Sequence, residues 1–101
     1  MRFALDTGAT QTTIRTATLV LIGYDPGNVS ERLTLTTGSG IEYVSPLIVD
    51  RLEALDQQRQ FFPVLAHTLP PSAGVDGLLG LDFFHNQALT LDFRTGTIHL
   101  R

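Results

Sequence analysis

The chain has 101 residues, 43% of them hydrophobic, with seven Arg, ten acids, no Lys and a net charge of −3. That length holds one domain at most, and the apolar content is too high for a disordered segment. The charge balance excludes the basic patch that a nucleic-acid or acidic-membrane partner would require. The chain has no cysteine, which excludes disulfide staples and thiolate metal sites. His67, His85 and His99 match no metal-ligand spacing, so neither a metal nor another cofactor is expected. The longest apolar run, Leu19–Ile22, is far too short to span a bilayer. No basic, apolar, small-residue leader opens the chain, and the expectation is a cytoplasmic protein.

In chain order, Phe3-Ala4-Leu5 suits a buried strand that delivers Asp6 into a tight turn at Thr7-Gly8, followed by Ala9 and Thr10. Residues 11–16 are Thr-rich and polar, suited to leaving that strand. Residues 17–22 fit a short helix that Gly23 stops and Pro26 prevents from resuming, although their β-branched content would also suit a strand. Residues 31–36 and 41–44 alternate polar and apolar on either side of Thr37-Gly38-Ser39-Gly40, which reads as a β-hairpin with a glycine-rich tip. Residues 45–55 have a cap, a first-turn Pro and apolar residues at 48, 52 and 55, a spacing that fits an amphipathic helix.

Residues 61–66 read as a buried strand and residues 68–74, with two prolines, as a loop. Gly77 and Gly80 flank Leu78-Leu79, so the backbone there can pass very close to another strand. Residues 82–87 are a short helix candidate with Asp82 near its N-terminus, where a carboxylate is favoured. Residues 88–93 and 97–100 alternate around Arg94-Thr95-Gly96 and predict a closing hairpin. No linker, repeat or low-complexity tract interrupts the chain.

Two stretches say more than local structure. Asp6-Thr7-Gly8-Ala9, together with Leu78-Leu79-Gly80 leading into Leu81-Asp82-Phe83-Phe84, resembles the signatures of the retropepsin-like aspartic peptidases, in particular their bacterial single-domain members. Thr37-Gly38-Ser39-Gly40 stands where that family has its flap tip, and the resemblance runs from Phe3 to Leu100. It implies an all-β, closed, barrel-like acid-protease fold with a flap hairpin, one or two short helices and a homodimeric assembly. It also implies strands rather than a helix over residues 45–56, with a turn near Asp56-Gln57-Gln58, and this reading is preferred. Asp6 would be the catalytic acid, Thr7 the brace between acid turns across the dimer axis, and Gly8 the residue that lets those turns approach. Ala9, Thr10, Thr37, Gly38, Ser39, Gly40 and Leu79 would meet a peptide or protein substrate.

Peptide hydrolysis without a metal or covalent nucleophile needs one carboxylate to activate water and one carboxylic acid to protonate the carbonyl oxygen. Asp76, Asp82 and Asp92 each lack a following Thr/Ser-Gly, so the second acid must come from a second subunit in a twofold dimer. Two carboxylates about 3 Å apart repel by roughly 5 kcal/mol at an effective dielectric near 20, so one proton is shared between them. Ala9 has no hydroxyl to offer the carboxylate. Thr10 and Leu81 stand where many retroviral members pair an acid with an Arg, so that bridge is absent. Only Met1 and Arg2 precede Phe3, where the family has a further strand, so Met1 is expected not to be the natural start. A catalytically silent dimeric β-domain that binds peptides or protein partners is the competing expectation. A phosphate-binding loop of the actin and sugar-kinase type is set aside, because those folds need two large domains.

Overall fold

The strand that carries Asp6 is held by a strand from the far end of the chain, and the sheet is built outward from that pair. The computed structural model describes residues 1–28, 33–37, 40–68 and 74–101, and of 28, 33–37 and 40–43 the backbone alone. The strands are Phe3–Leu5 (β1), Thr13–Arg15 (β2), Leu33–Thr37 (β3), Gly40–Ala54 (β4), Gln57–His67 (β5), Gly77–Leu79 (β6), Leu89–Asp92 (β7) and Thr97–Leu100 (β8). The helix Thr16–Leu21 (α1) and, among the described residues, two 3-10 turns, Pro26–Asn28 and Leu81–Phe84, join them. A six-stranded sheet runs in the order β1-β6-β2-β5-β4-β3, and β7-β8 forms a separate two-stranded sheet.

Here the expectation of a closed barrel is corrected. β1 and β3 lie at opposite edges of the large sheet, and the closing hairpin β7-β8 stays apart from it, so among the described residues no strand bridges the two edges. β6 inserts between β1 and β2, parallel to the first with Ala4 opposite Leu78, and antiparallel to the second with Thr13 also opposite Leu78. The Thr-rich stretch does not simply leave the first strand, because Thr12, Thr13 and Ile14 are buried and β2 lies inside the sheet.

α1 ends as its sequence predicts. Gly23, at φ +103°, follows the last turn, and Gly23 and Tyr24 donate their N–H groups to the carbonyls of Val20 and Leu19. This is the Schellman pattern that glycine favours.

Residues 45–54 are strand, not helix: of the three apolar residues whose spacing fitted a helix, Leu52 alone turns inward, while Ile48 and Leu55 are exposed. Leu47 and Val49 pack with one apolar cluster, Ala54 with the other and Leu52 with both, so the inward side switches between 49 and 52. The ladder skips the Asp50–Phe61 pair at the same point, Phe61 takes φ +51°, and the Asp50 N–H donates to the Tyr24 hydroxyl instead. The strand bends there, and its inward residues Val49 and Leu52 lie three apart instead of two. The turn itself falls at Leu55-Asp56, one residue earlier than expected, with both residues at positive φ as a two-residue hairpin turn requires. The C-terminal helix expected over 82–87 is shorter, a single 3-10 turn ending at Phe84.

The core has two parts. Ile14, Leu19, Val49, Val64 and Ala66 form one cluster, and Leu79, Phe83 and Phe84 the other. Phe3, Leu52 and Phe62 pack against both and join them. Arg59 closes the second cluster from outside, with its guanidinium 4.7 Å above the Phe83 ring and its Nη2 donating to the Phe83 carbonyl at 2.9 Å.

Gly77 is where β6 presses hardest on its neighbours, since a Cβ there would lie 2.5 Å from the Thr13 carbonyl oxygen and 2.6 Å from the Phe3 ring. Gly77→Ala is therefore expected to destabilise the fold by about 2 kcal/mol or more, as overpacking does. Urea unfolding checks this, and an unchanged midpoint would show that the strands can separate to admit the methyl.

Candidate active site

β1 ends by handing Asp6 to a turn whose geometry is set by its own backbone. The Ala9 N–H donates to the Asp6 carbonyl at 3.1 Å, closing the turn, and the Gly8 N–H donates to Asp6 Oδ1 at 2.9 Å. A Cβ on Gly8 would sit 3.3 Å from that same oxygen, so glycine gives the carboxylate its place. Asp6 is half-buried, while Thr7 and Gly8 are exposed. From behind, the Asp6 N–H donates to the Leu79 carbonyl at 3.0 Å and ties the turn to the end of β6.

The segment after β6 continues this attachment. Leu81 N–H donates to the Ala9 carbonyl at 2.8 Å, and Asp82 N–H to the Thr10 carbonyl at 3.2 Å. Asp82 Oδ1 accepts the Thr12 N–H at 2.9 Å and the Thr12 hydroxyl at 2.8 Å. Thr12 Oγ1 in turn accepts the Gly80 N–H at 3.1 Å. Thr12 is fully buried, and a Cβ on Gly80 would lie 2.5 Å from the Gln11 carbonyl carbon, so both signature glycines mark close backbone crossings as the sequence predicts. The side-chain bridge that Thr10 and Leu81 cannot make is thus matched by backbone bonds at the same two places.

A second acid anchors the other end of β6. Asp76 Oδ2 accepts the Arg2 N–H at 2.8 Å and Oδ1 accepts the Thr18 hydroxyl at 2.9 Å, while the Asp76 N–H donates to the Arg2 carbonyl at 2.7 Å. These bonds, first from the Arg2 backbone and then from Thr18, hold the Asp76 carboxyl below the usual carboxylate range.

Beside the acid turn lies a cleft of about 270 Å³ lined by Asp6, Gly8, Ala9, Thr10, Gln11, Thr13, Leu65 and Leu78. Of the residues singled out from sequence, Asp6, Gly8, Ala9 and Thr10 meet there, and Thr7 stands exposed at its edge. Leu79 points away, 5% exposed in the second core cluster, and Leu78 takes the cleft side instead. Thr37 and Gly40 pair across the hairpin, where the backbone alone is described, whereas Gly38 and Ser39 lie outside the described residues. Sequence reasoning missed Thr12, Thr13, Gln11 and Leu65. A threonine buried in a polar run leaves no periodic signal, and Leu65 is one apolar residue in an apolar strand. Among the described residues no cluster of His, Asp and Glu could hold a metal ion, and no helix is long and apolar enough to cross a membrane.

Residues 1–86 match the family model described as "gag-polyprotein putative aspartyl protease". The chain belongs to this aspartic protease family. Among solved structures, a retropepsin-like aspartic protease from Rickettsia conorii superimposes with a TM-score of 0.67 at 16% sequence identity. The match covers 87% of this chain and 64% of that one, and at this identity it is a likeness of fold. The present chain therefore spans less than two thirds of the length of that protein. No curated protein sequence matches it. The acid turn and the Leu78-Leu79-Gly80 segment, the two stretches that resemble retropepsin-like signatures, are joined by the hydrogen bonds above.

The lowered Asp76 carboxyl has a consequence for acid stability. The folded chain binds that proton less readily than the unfolded chain, so the contribution is complete above about pH 4 and is lost as pH falls through the native value. Asp76→Asn is expected to melt lower than the wild type at pH 7 and to lose less of its melting temperature between pH 5 and pH 2. Parallel melting curves across that range would contradict the assignment.

Proposed function

We propose that this chain is an aspartic endopeptidase that acts as a homodimer, each subunit contributing one Asp6 carboxylate to a shared dyad. One observation carries the reading: among the described residues that line the cleft, Asp6 supplies the only ionisable side chain. One carboxyl group cannot be both base and acid in the same step. The exposed Thr7 and Gly8 leave the turn open to a second copy, which supplies the missing group under twofold symmetry. The closing hairpin offers apolar surface for the same association. Leu91 lies opposite Ile98, on the side of Leu89 and Leu100 that packs against the core, yet both extend past it, at 36% and 43% exposure.

The chemistry follows from the pair. With one proton held between the two carboxyl groups, as in aspartic proteases generally, the ionised group takes a proton from a water molecule as its oxygen attacks the scissile carbonyl carbon. The protonated group gives its proton to the carbonyl oxygen, forming a neutral tetrahedral diol. The diol collapses as the C–N bond breaks: the protonated carboxyl of the dyad gives its proton to the amine nitrogen while the ionised one takes a hydroxyl proton, so the dyad ends with the single proton it began with. The Gly8 N–H on Oδ1 orients the carboxylate and leaves Oδ2 to face the water. Ala9, Leu65 and Leu78 give apolar walls to the substrate side chain next to the cut, and the hairpin tip, with Thr37, Gly38, Ser39 and Gly40, would close over an extended peptide.

Asp6→Asn is expected to leave the fold intact and abolish cleavage of a peptide library, while wild-type activity per subunit falls on dilution as pairs dissociate. Wild-type rates in the Asn variant would remove Asp6 from the mechanism. A wild-type protein that binds peptides without cutting any would favour the silent binding domain.

A further inference from the structure

We infer that Asp82 is a positioning residue for the Asp6 site, holding the 9–12 segment that floors the cleft; the inference rests on the peptidase reading. A carboxylate in the first turn of a helix ordinarily serves that helix's own N–H groups. Asp82 does not, since the 3-10 turn has no side-chain cap bond and Oδ1 is occupied by both donors of Thr12. A carboxylate of this kind only accepts, so the Thr12 hydroxyl must donate to it and can receive the Gly80 N–H only on a lone pair. Gly80 to Thr12 to Asp82 is therefore a bonded chain whose directions are forced, and it returns to the turn from which it started.

The segment it holds is the cleft floor. Ala9 and Thr10 are tied by their carbonyls to the N–H groups of Leu81 and Asp82, and Thr12 by its N–H and hydroxyl to the Asp82 side chain. Gln11, between them, is pressed against Gly80. Ala9, Thr10 and Gln11 all line the cleft beside Asp6. Losing the Asp82 acceptor leaves the fully buried Thr12 with an N–H that has no partner, and the segment must shift to find one. A displacement of about 1 Å near a reacting group can lower the rate about 100-fold. Asp82 would thus act on the reaction through Thr12, without touching substrate.

The test compares Asp82→Ala, Asp82→Asn and Thr12→Val in the full chain, at a temperature where circular dichroism shows each folded. Asparagine keeps an Oδ1 that can accept both bonds. It is expected to hold kcat within about 10-fold of wild type, whereas alanine loses about 100-fold with the folded fraction unchanged. Thr12→Val keeps the volume, loses the hydroxyl and serves if the alanine variant fails to fold; it is expected to lower kcat as well. Amide hydrogen exchange at Thr12 and Gly80 gives a readout free of activity. Protection should fall in Asp82→Ala, fall at Gly80 in Thr12→Val, and persist in Asp82→Asn. Unchanged exchange and kcat in the alanine variant would overturn the proposal, as would an asparagine variant no better than alanine. If the wild type cleaves no peptide, the peptidase reading falls, and exchange alone decides whether Asp82 holds the segment.

Discussion

The junction between residues 9–12 and residues 80–82 is the constraint on which the rest depends, since its two halves lie about 70 residues apart in sequence. Closing a chain loop of that length costs on the order of 4 kcal/mol, more than any single one of its hydrogen bonds returns. The junction therefore forms only as a set, with the β1–β6 ladder in front of it and the Leu79, Phe83 and Phe84 cluster behind it. Gly77 and Gly80 are the sequence's concession to that closeness, because a Cβ at either place would lie 2.5 Å from a backbone atom, well inside van der Waals contact. Arg59 completes it by holding the Phe83 carbonyl from the far side.

The same arrangement leaves the acid turn on the surface. The backbone ties that leave the turn run inward to β6 and the 3-10 segment, and Thr7 and Gly8 are exposed. A rigid, exposed turn bearing one carboxylate is half of a general acid–base pair. The physical argument for a dimer is therefore one of chemistry first and surface second. The apolar face that the closing hairpin extends beyond the core is consistent with it, and Phe93, 91% exposed at the end of β7, belongs to the same end of the molecule.

Much of this was legible from residues alone, for reasons that can be named. The two signature segments are short, glycine-marked and tied to backbone geometry, so their pairing follows from steric need. The helix stop at Gly23 and the closing hairpin rest on local rules that tertiary contacts did not override. Residues 45–55 misled periodicity because two of the three apolar residues that fitted a helix, Ile48 and Leu55, are exposed on a strand and its turn, and only Leu52 faces the core. The open sheet was not legible, since closure depends on where the edge strands end and not on any one segment. Nor was the Thr12–Asp82 bond, because a helix-capping carboxylate and one that reaches 70 residues away look the same in sequence.

The central claim is that one working site needs an Asp6 from each of two copies. Mixing wild-type protein with folded Asp6→Asn protein at constant total concentration, with time for subunits to exchange, tests it most directly. If both carboxylates are required, mixed pairs are inactive and total activity follows the square of the wild-type fraction. Activity that falls in direct proportion to the wild-type fraction would mean that each chain works with its own Asp6 alone, and would contradict the account.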